Sequence, residues 1–263
     1  MCGEQHPVDR DVTAISRRKL LAAAATVGLA ATGCSNKAVS VLTQPTLAFT
    51  ADPPPGSVHS LDAPVSTAVP AAMLCRESWG ARPALPGGRP HTITRMTIHH
   101  SAVALPDNRG IVARLQQHQR YHQDDKGWVD IAYHAAVDRN GNIFALRDTA
   151  IAGDTATDYD TTGHFLVLCE GDFNTETVTE AQLDGAALIC AWATQQFGIG
   201  VNTLASHTEV TPVTDCPGDN LEAHLTSGDL KQRITARIAT GFDLGQVCGT
   251  AAGARVAAIT AGR

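Results

Sequence analysis

The chain has 263 residues, 43% of them hydrophobic and 17% charged, enough apolar material for a sizeable core, so wholesale disorder is excluded. Its 20 basic and 26 acidic residues leave a net charge of −6, which excludes a nucleic-acid binder that works by neutralising phosphates. The body of the chain carries no uninterrupted apolar run of the ~18 residues that a membrane span needs, which excludes an integral multi-span protein.

Residues 1–33 read as an export signal. Arg17-Arg18 are followed at once by an apolar stretch from Leu20 to Ala31, and the paired arginine is similar to a twin-arginine signal. The stretch ends in Thr32-Gly33-Cys34, small residues before a cysteine, as in the cleavage box of a bacterial lipoprotein, where Cys34 becomes the lipidated first residue. Plain cleavage near the same place, or retention of the segment as an anchor, are the alternatives. Removal of 1–33 takes away Arg10, Arg17, Arg18, Lys19, Glu4, Asp9 and Asp11 and leaves a net charge of −7. Charge alone does not hold such a chain to an anionic surface, so membrane contact is expected only through a lipid anchor at the outer face of the cytoplasmic membrane. Residues 34–73 follow, with Pro45, Pro53-Pro54-Pro55, Pro64 and Pro70 among Ser, Thr, Ala and Val; this composition has no stripe to bury and reads as a spacer.

One domain is expected over 74–243. Residues 93–98 alternate apolar and polar, the period of a half-buried strand, and end at His99-His100-Ser101. Arg109 to His122 carries Ile111, Leu115, His118 and His122 at helical spacing. Asn140-Gly141 between Asp130–Asp138 and Asn142–Leu146 signals a hairpin, and Phe165–Cys169 is an unbroken apolar run suited to a buried central strand. Thr179, with Gln182 three residues on, opens a helix to about Phe197, and Leu221 to Ile238 is a last amphipathic helix. Strands and helices interleave, and the hairpin forces antiparallel pairing somewhere, so the expected fold is α/β with a central mixed sheet flanked by helices. Residues 244–263, rich in Gly and Ala, read as a loosely held tail.

The chemistry-bearing residues sit at strand and loop ends. His99 closes the first strand, Tyr133-His134 opens the hairpin, and His207 follows an extended segment, with Cys216 nine residues further on in a proline-containing loop. Imidazole and thiolate are preferred zinc ligands, and two His with one Cys leave the fourth position open for water. Taken alone this spacing is a weak signal, because three such residues can be picked from most sequences.

Ile98-His99-His100-Ser101-Ala102, Gln119-Arg120-Tyr121-His122 and Gly127-Trp128-Val129-Asp130-Ile131-Ala132-Tyr133-His134 closely resemble the zinc N-acetylmuramoyl-L-alanine amidase and peptidoglycan recognition protein family, which includes the phage lysozyme-amidases. Asp138-Arg139-Asn140-Gly141, Ala145-Leu146-Arg147-Asp148, His207-Thr208-Glu209-Val210 and Thr214-Asp215-Cys216-Pro217-Gly218-Asp219 continue the match in order, after an opening Arg76-Glu77-Ser78-Trp79-Gly80-Ala81. The resemblance implies that fold, a Zn2+ cofactor held by His99, His207 and Cys216, a catalytic Tyr133, and a further catalytic position at Thr214, where phage relatives carry lysine. It implies peptidoglycan or muropeptides as partner and hydrolysis of the amide between the lactyl group of N-acetylmuramic acid and L-alanine of the stem peptide, by a monomer. Relatives that only bind usually lack the cysteine or the tyrosine; this chain has both, which favours an enzyme over the alternative, a non-catalytic peptidoglycan-binding lipoprotein.

Two departures matter. Asp154-Thr155-Ala156 stand where relatives often place a cleft histidine, and Leu168 stands where some bacterial amidases keep a catalytic Glu. Glu170 is one pleat on, faces the same side by period two, and is a candidate general base. A ligating imidazole is expected to donate its second N–H to a backbone carbonyl or a carboxylate. His100, His122, His134 and His164 read as packing or supporting residues; Trp128 reads as a core residue, with lining of the glycan groove as the alternative. With Cys2 in the signal, Cys34 on lipid and Cys216 on zinc, Cys75, Cys169, Cys190 and Cys248 remain, allowing three pairings. The resemblance pairs Cys75 with Cys190; Cys248 pinning the C-terminal tail is the competitor.

Overall fold

The computed structural model describes residues 71–263. The export signal at 1–33, Cys34 and nearly all of the spacer lie outside the described residues. The described chain carries seven strands, β1 (Ala72–Leu74), β2 (Arg95–His100), β3 (Ala135–Val137), β4 (Ile143–Ala145), β5 (His164–Cys169), β6 (Leu204–Ser206) and β7 (Gly245–Val247). The α-helices are α1 (Ile111–Arg120), α2 (Glu180–Phe197), α3 (His207–Val210), α4 (Asp219–Thr226), α5 (Asp229–Thr240) and α6 (Gly249–Thr260).

The strands form a single sheet in the order β6-β2-β5-β3-β4-β1-β7. Every pairing is parallel except β3 with β4, the hairpin that Asn140-Gly141 closes, so the sheet is mixed as expected. β5, whose six residues are all buried, lies between β2 and β3 and carries the unbroken apolar run that a doubly covered strand requires. Alternation along the strands sends Met96, Ile98, Phe165 and Val167 to one face, against Leu183, Ala187 and Cys190 of α2 and Leu230 and Ile234 of α5. Leu166, Leu168 and Ala136 go to the other face, against Ile111 and Leu115 of α1, Trp79, and Ala252 and Val256 of α6. Thr179 caps α2 by accepting the Gln182 N–H at 3.1 Å, as its spacing predicts.

Three expectations need correction. Leu221–Ile238 is two helices, not one: Gly228, at φ +80°, adopts a left-handed conformation between α4 and α5 that breaks the run. Residues 244–263 are not a loose tail. Gly245–Val247 adds β7 to the sheet edge beside β1, and α6 buries Ala252, Val256 and Ile259, whose spacing of four and three is a helical stripe hidden in Ala-rich composition. Cys75 pairs with Cys248, not Cys190. The reason is topological: Cys75 directly follows β1 and Cys248 directly follows β7 in the parallel register, whereas Cys190 is buried in α2 on one face of the sheet, where burial pushes its thiol pKa up. Cys169, also a buried thiol, is pushed up to about 12 by burial.

Candidate metal centre

β2 and β6 run parallel in a register that sets Ile98 beside Ser206. His99 is the next residue on β2 and His207 is the first residue after β6, so the pairing that ends at Ile98 and Ser206 brings their rings together, with centroids 4.5 Å apart. His207 is held at the first position of α3 by a capping box in which Ser206 Oγ accepts the Glu209 N–H at 3.0 Å and Glu209 accepts the Ser206 N–H at 2.7 Å. Cys216 is folded back onto them. Its carbonyl accepts from Thr208 N–H at 2.9 Å and from Thr208 Oγ1 at 2.7 Å, and its own N–H donates to Thr214 Oγ1 at 3.1 Å. Gly218, at φ +87°, lets this loop close: a Cβ there would lie 2.6 Å from the backbone carbon of Phe173.

The three ligand atoms lie within 4.8 Å of one another, and all three residues are buried. Cys216 Sγ sits 3.7 Å from His99 Nδ1 and accepts the backbone N–H of His100 at 3.3 Å, a donor that favours the thiolate. Burial, then the neighbouring His207, His100 and His164, hold His99 well below the ordinary imidazole pKa, so it is neutral and keeps a lone pair. His207 Nδ1 is buried and has no hydrogen-bond partner among the described residues. An orphaned imidazole nitrogen on His207, the neutral imidazole of His99 and a sulfur that accepts a backbone N–H make a donor set that suits a divalent transition metal.

The outward nitrogens of both rings meet hydroxyls, not the carbonyl or carboxylate expected: His207 Nε2 lies 2.8 Å from Thr157 Oγ1 and His99 Nε2 lies 3.3 Å from Tyr159 OH. Neither residue was singled out in the sequence, although the alternation Thr155, Thr157, Tyr159 in an otherwise acidic stretch was there to be seen. The segment is anchored at both ends. Arg147 pairs with Asp154 while donating to the carbonyls of Asp130, Ile131 and Ala152, and Thr161 Oγ1 donates to Gly153 O at 2.6 Å.

Tyr133 is buried with its ring 5.3 Å from that of His99, and it lines a narrow pocket with His99, His207, Tyr121 and Trp128. Beside it opens a cavity of 660 Å³ lined by Trp128, Lys126, Thr155, Thr157, Asp172, Asn174, Thr214 and Cys216, among others. Thr214 therefore lies on the cavity wall while its Oγ1 accepts from the cysteine backbone. Trp128 is half-buried: it packs on the core and also lines both cavities, so its position combines the packing role with the groove-lining alternative.

Glu170 is a correction. It shares the face of His99 as period two requires, but α1 covers that point: the carboxylate is fully buried, lies 3.0 Å from His118 Nε2 and lines neither cavity at the cluster. Burial works against its charge, and His118 and Ser101 outweigh burial and hold the carboxyl below its ordinary value. The other histidines are supports. His100 Nδ1 accepts the Phe173 N–H, His122 Nδ1 the Ala132 N–H, His134 Nδ1 the Leu166 N–H, and His164 Nδ1 meets Thr97 Oγ1.

The fold and the site define an α/β domain with a two-histidine, one-cysteine cluster lining a cleft. Comparison with known proteins then places it. The N-acetylmuramoyl-L-alanine amidase family matches residues 89–219. Peptidoglycan-recognition protein LB of Drosophila melanogaster is 31% identical over 170 residues, which cover 60% of this chain and 68% of that protein. The N-acetylmuramoyl-L-alanine amidase of Homo sapiens is 31% identical over 156 residues, 56% of this chain and 26% of that protein. A solved structure of a Drosophila PGRP-LB mutant in complex with tracheal cytotoxin matches with a TM-score of 0.53 at 26% identity, over 59% of this chain and 93% of that one. The chain belongs to the N-acetylmuramoyl-L-alanine amidase and peptidoglycan recognition protein family.

Proposed function

We propose that this chain is a zinc-dependent N-acetylmuramoyl-L-alanine amidase that cleaves the lactyl–L-alanine amide of peptidoglycan or muropeptides. The observation that carries the reading is the convergence of His99, His207 and Cys216, with His207 Nδ1 buried and unpartnered among the described residues. The relative bound to tracheal cytotoxin and the human amidase support the substrate class and the reaction.

His99, His207 and Cys216 would hold the ion, leaving a fourth position for a non-protein ligand. When bound, zinc supplies a Lewis acid at the scissile carbonyl and brings the pKa of water toward ~7. The protein's own groups do the rest. The His100 N–H donates to the Cys216 sulfur and favours its ligating thiolate form. Burial keeps His99 neutral, so His99 binds without losing a proton, while the cysteine gives up its thiol proton to the solvent as the metal binds. Tyr133, against His99, carries a phenolic O–H that donates to the oxygen on which charge develops, a contribution of about 10²-fold or more. Thr214 lacks the charge of the phage lysine and holds the Cys216 backbone in place. The cavity beside the cluster receives the glycan and stem peptide.

Mass spectrometry of defined muropeptides tests the reading. Wild type releases free stem peptide, a chelator stops it, and Cys216→Ser abolishes it together with zinc binding. Turnover that survives complete zinc removal rules the mechanism out. The binding-only alternative is favoured by one feature, the replacement of a cleft histidine by the stretch Asp154-Thr155-Ala156; zinc-loaded protein that binds muropeptide and produces no new termini would establish it. The place of action is part of the same proposal: export through the signal at 1–33, and anchoring at the outer face of the cytoplasmic membrane by lipid on Cys34. The mass of the mature N-terminal peptide checks this, with a diacyl or triacyl cysteine expected.

A further inference from the structure

A short row of hydroxyls runs from the His207 ring to the cavity, and the reaction as described leaves it unused. Thr157 Oγ1 is 2.8 Å from His207 Nε2, and Thr155 Oγ1 is 2.8 Å from Thr157 Oγ1. Thr155 Oγ1 also accepts the backbone N–H of Thr157 at 3.1 Å. Both threonines line the 660 Å³ cavity.

Each hydroxyl has one proton and two lone pairs, so fixing one end of such a row fixes its direction. His207 supplies the fixed end. Its buried Nδ1, unpartnered among the described residues, is the nitrogen left for a metal, and a ligating nitrogen carries no proton. With Nδ1 left to the metal, the ring carries its proton on Nε2 and must donate, so Thr157 Oγ1 accepts and spends its own O–H on Thr155 Oγ1. Thr155 Oγ1 now accepts twice, from the Thr157 O–H and the Thr157 N–H. Its lone pairs are used, and its remaining capacity is one O–H donor on the cavity wall. The reversed row would put a proton on His207 Nδ1, inside the ligand cluster.

Resting on the amidase reading for the identity of the ligand, we infer that the row His207–Thr157–Thr155 is a directed relay in which Thr157 locks the imidazole in its metal-ready tautomer and Thr155 presents a hydrogen-bond donor to an acceptor oxygen of the muropeptide. Thr157 is a positioning residue; Thr155 touches substrate. The donor occupies the stretch where the relatives' cleft histidine is missing, and so meets the feature that favours binding without turnover.

The test uses the full-length chain with 15N-labelled histidine. Long-range 1H–15N spectra of the metal-free protein are expected to show His207 protonated on Nε2. Thr157→Val is expected to disturb that tautomer and weaken Zn2+ affinity about 10- to 100-fold in competition with a chromophoric chelator, and Thr157→Ser to restore both. Thr155→Val is expected to leave Zn2+ affinity unchanged and lower kcat/KM on a defined muropeptide about fivefold, the worth of one neutral hydrogen bond, with Thr155→Ser recovering it. An unchanged tautomer and Zn2+ affinity in Thr157→Val, or full kcat/KM in Thr155→Val, overturns the relay. Circular dichroism melts of each variant separate these outcomes from failure to fold. Wild type that binds zinc and muropeptide without turnover overturns the amidase reading alone; the donor is then read as weaker muropeptide binding by Thr155→Val, and equal binding overturns it.

Discussion

Tyr133 is the residue whose removal best separates chemistry from assembly. Its ring packs on His99, yet it is not one of the three clustered ligand residues. Tyr133→Phe keeps the packing and deletes only the O–H. We expect kcat to fall about 10²-fold or more with KM and zinc content unchanged, as measured by stopped assays and metal analysis. A parallel fall in zinc content would mean that the tyrosine acts through the ligands instead. Gly218 makes a different kind of residue-scale statement. It is needed because the Cys216 loop passes so close to Phe173 that any Cβ collides with backbone, so Gly218→Ala is expected to displace the cysteine and lower zinc affinity, a loss that titration against a chelator reads directly.

Among the elements, the C-terminal clasp and the metal cluster sit at opposite edges of the sheet, β7 at one end of the strand order and β6 at the other. The clasp lies outside the residues that match the family, 89–219. The disulfide ties residues 173 apart in sequence, and such a cross-link stabilises by roughly 2–4 kcal/mol, chiefly by restricting the unfolded chain. Cys248→Ser is therefore expected to lower the urea midpoint and to speed amide exchange in β7 and α6 first, while Zn2+ affinity stays at the wild-type value. An equal loss of zinc binding would show that the two edges are coupled.

The whole molecule is rich in buried neutral histidines, and this sets its response to acid. Burial is the largest cause holding His91, His134 and His164 below the ordinary imidazole value of 6.5, His134 to about 3 and His164 to about 4. His122 is lowered to about 2, again chiefly by burial. In each case the unfolded chain binds the proton more tightly than the folded one, so their contribution to stability is complete above about pH 6.5 and is lost as pH falls toward the folded values. Urea unfolding measured from pH 7.5 down to pH 4 should show a midpoint that falls steadily below pH 6.5. His134→Gln should flatten that fall by the share of one proton, since it removes the ring that bridges Leu166 N–H and Ile151 O. A midpoint independent of pH over this range would contradict the assignment of neutral rings.

What the amino-acid order alone determined was whatever depends on near neighbours: the period-two run into His99, the Asn140-Gly141 hairpin, the apolar β5, the Thr179 cap, and the residue types at 99, 133, 207 and 216. These signals are local because strand alternation, turn conformation and ligand chemistry are properties of a few consecutive residues. Tertiary structure decided which groups meet. Period two put Glu170 on the face of His99, but only the packing of α1 placed His118 over it. Spacing offered three ways to pair four cysteines, and only the parallel register of β1 and β7 brought Cys75 to Cys248. Thr157 and Tyr159 are loop residues that the fold carries against two imidazoles, one on β2 and one at the start of α3, and a hydroxyl has no role until geometry gives it a partner.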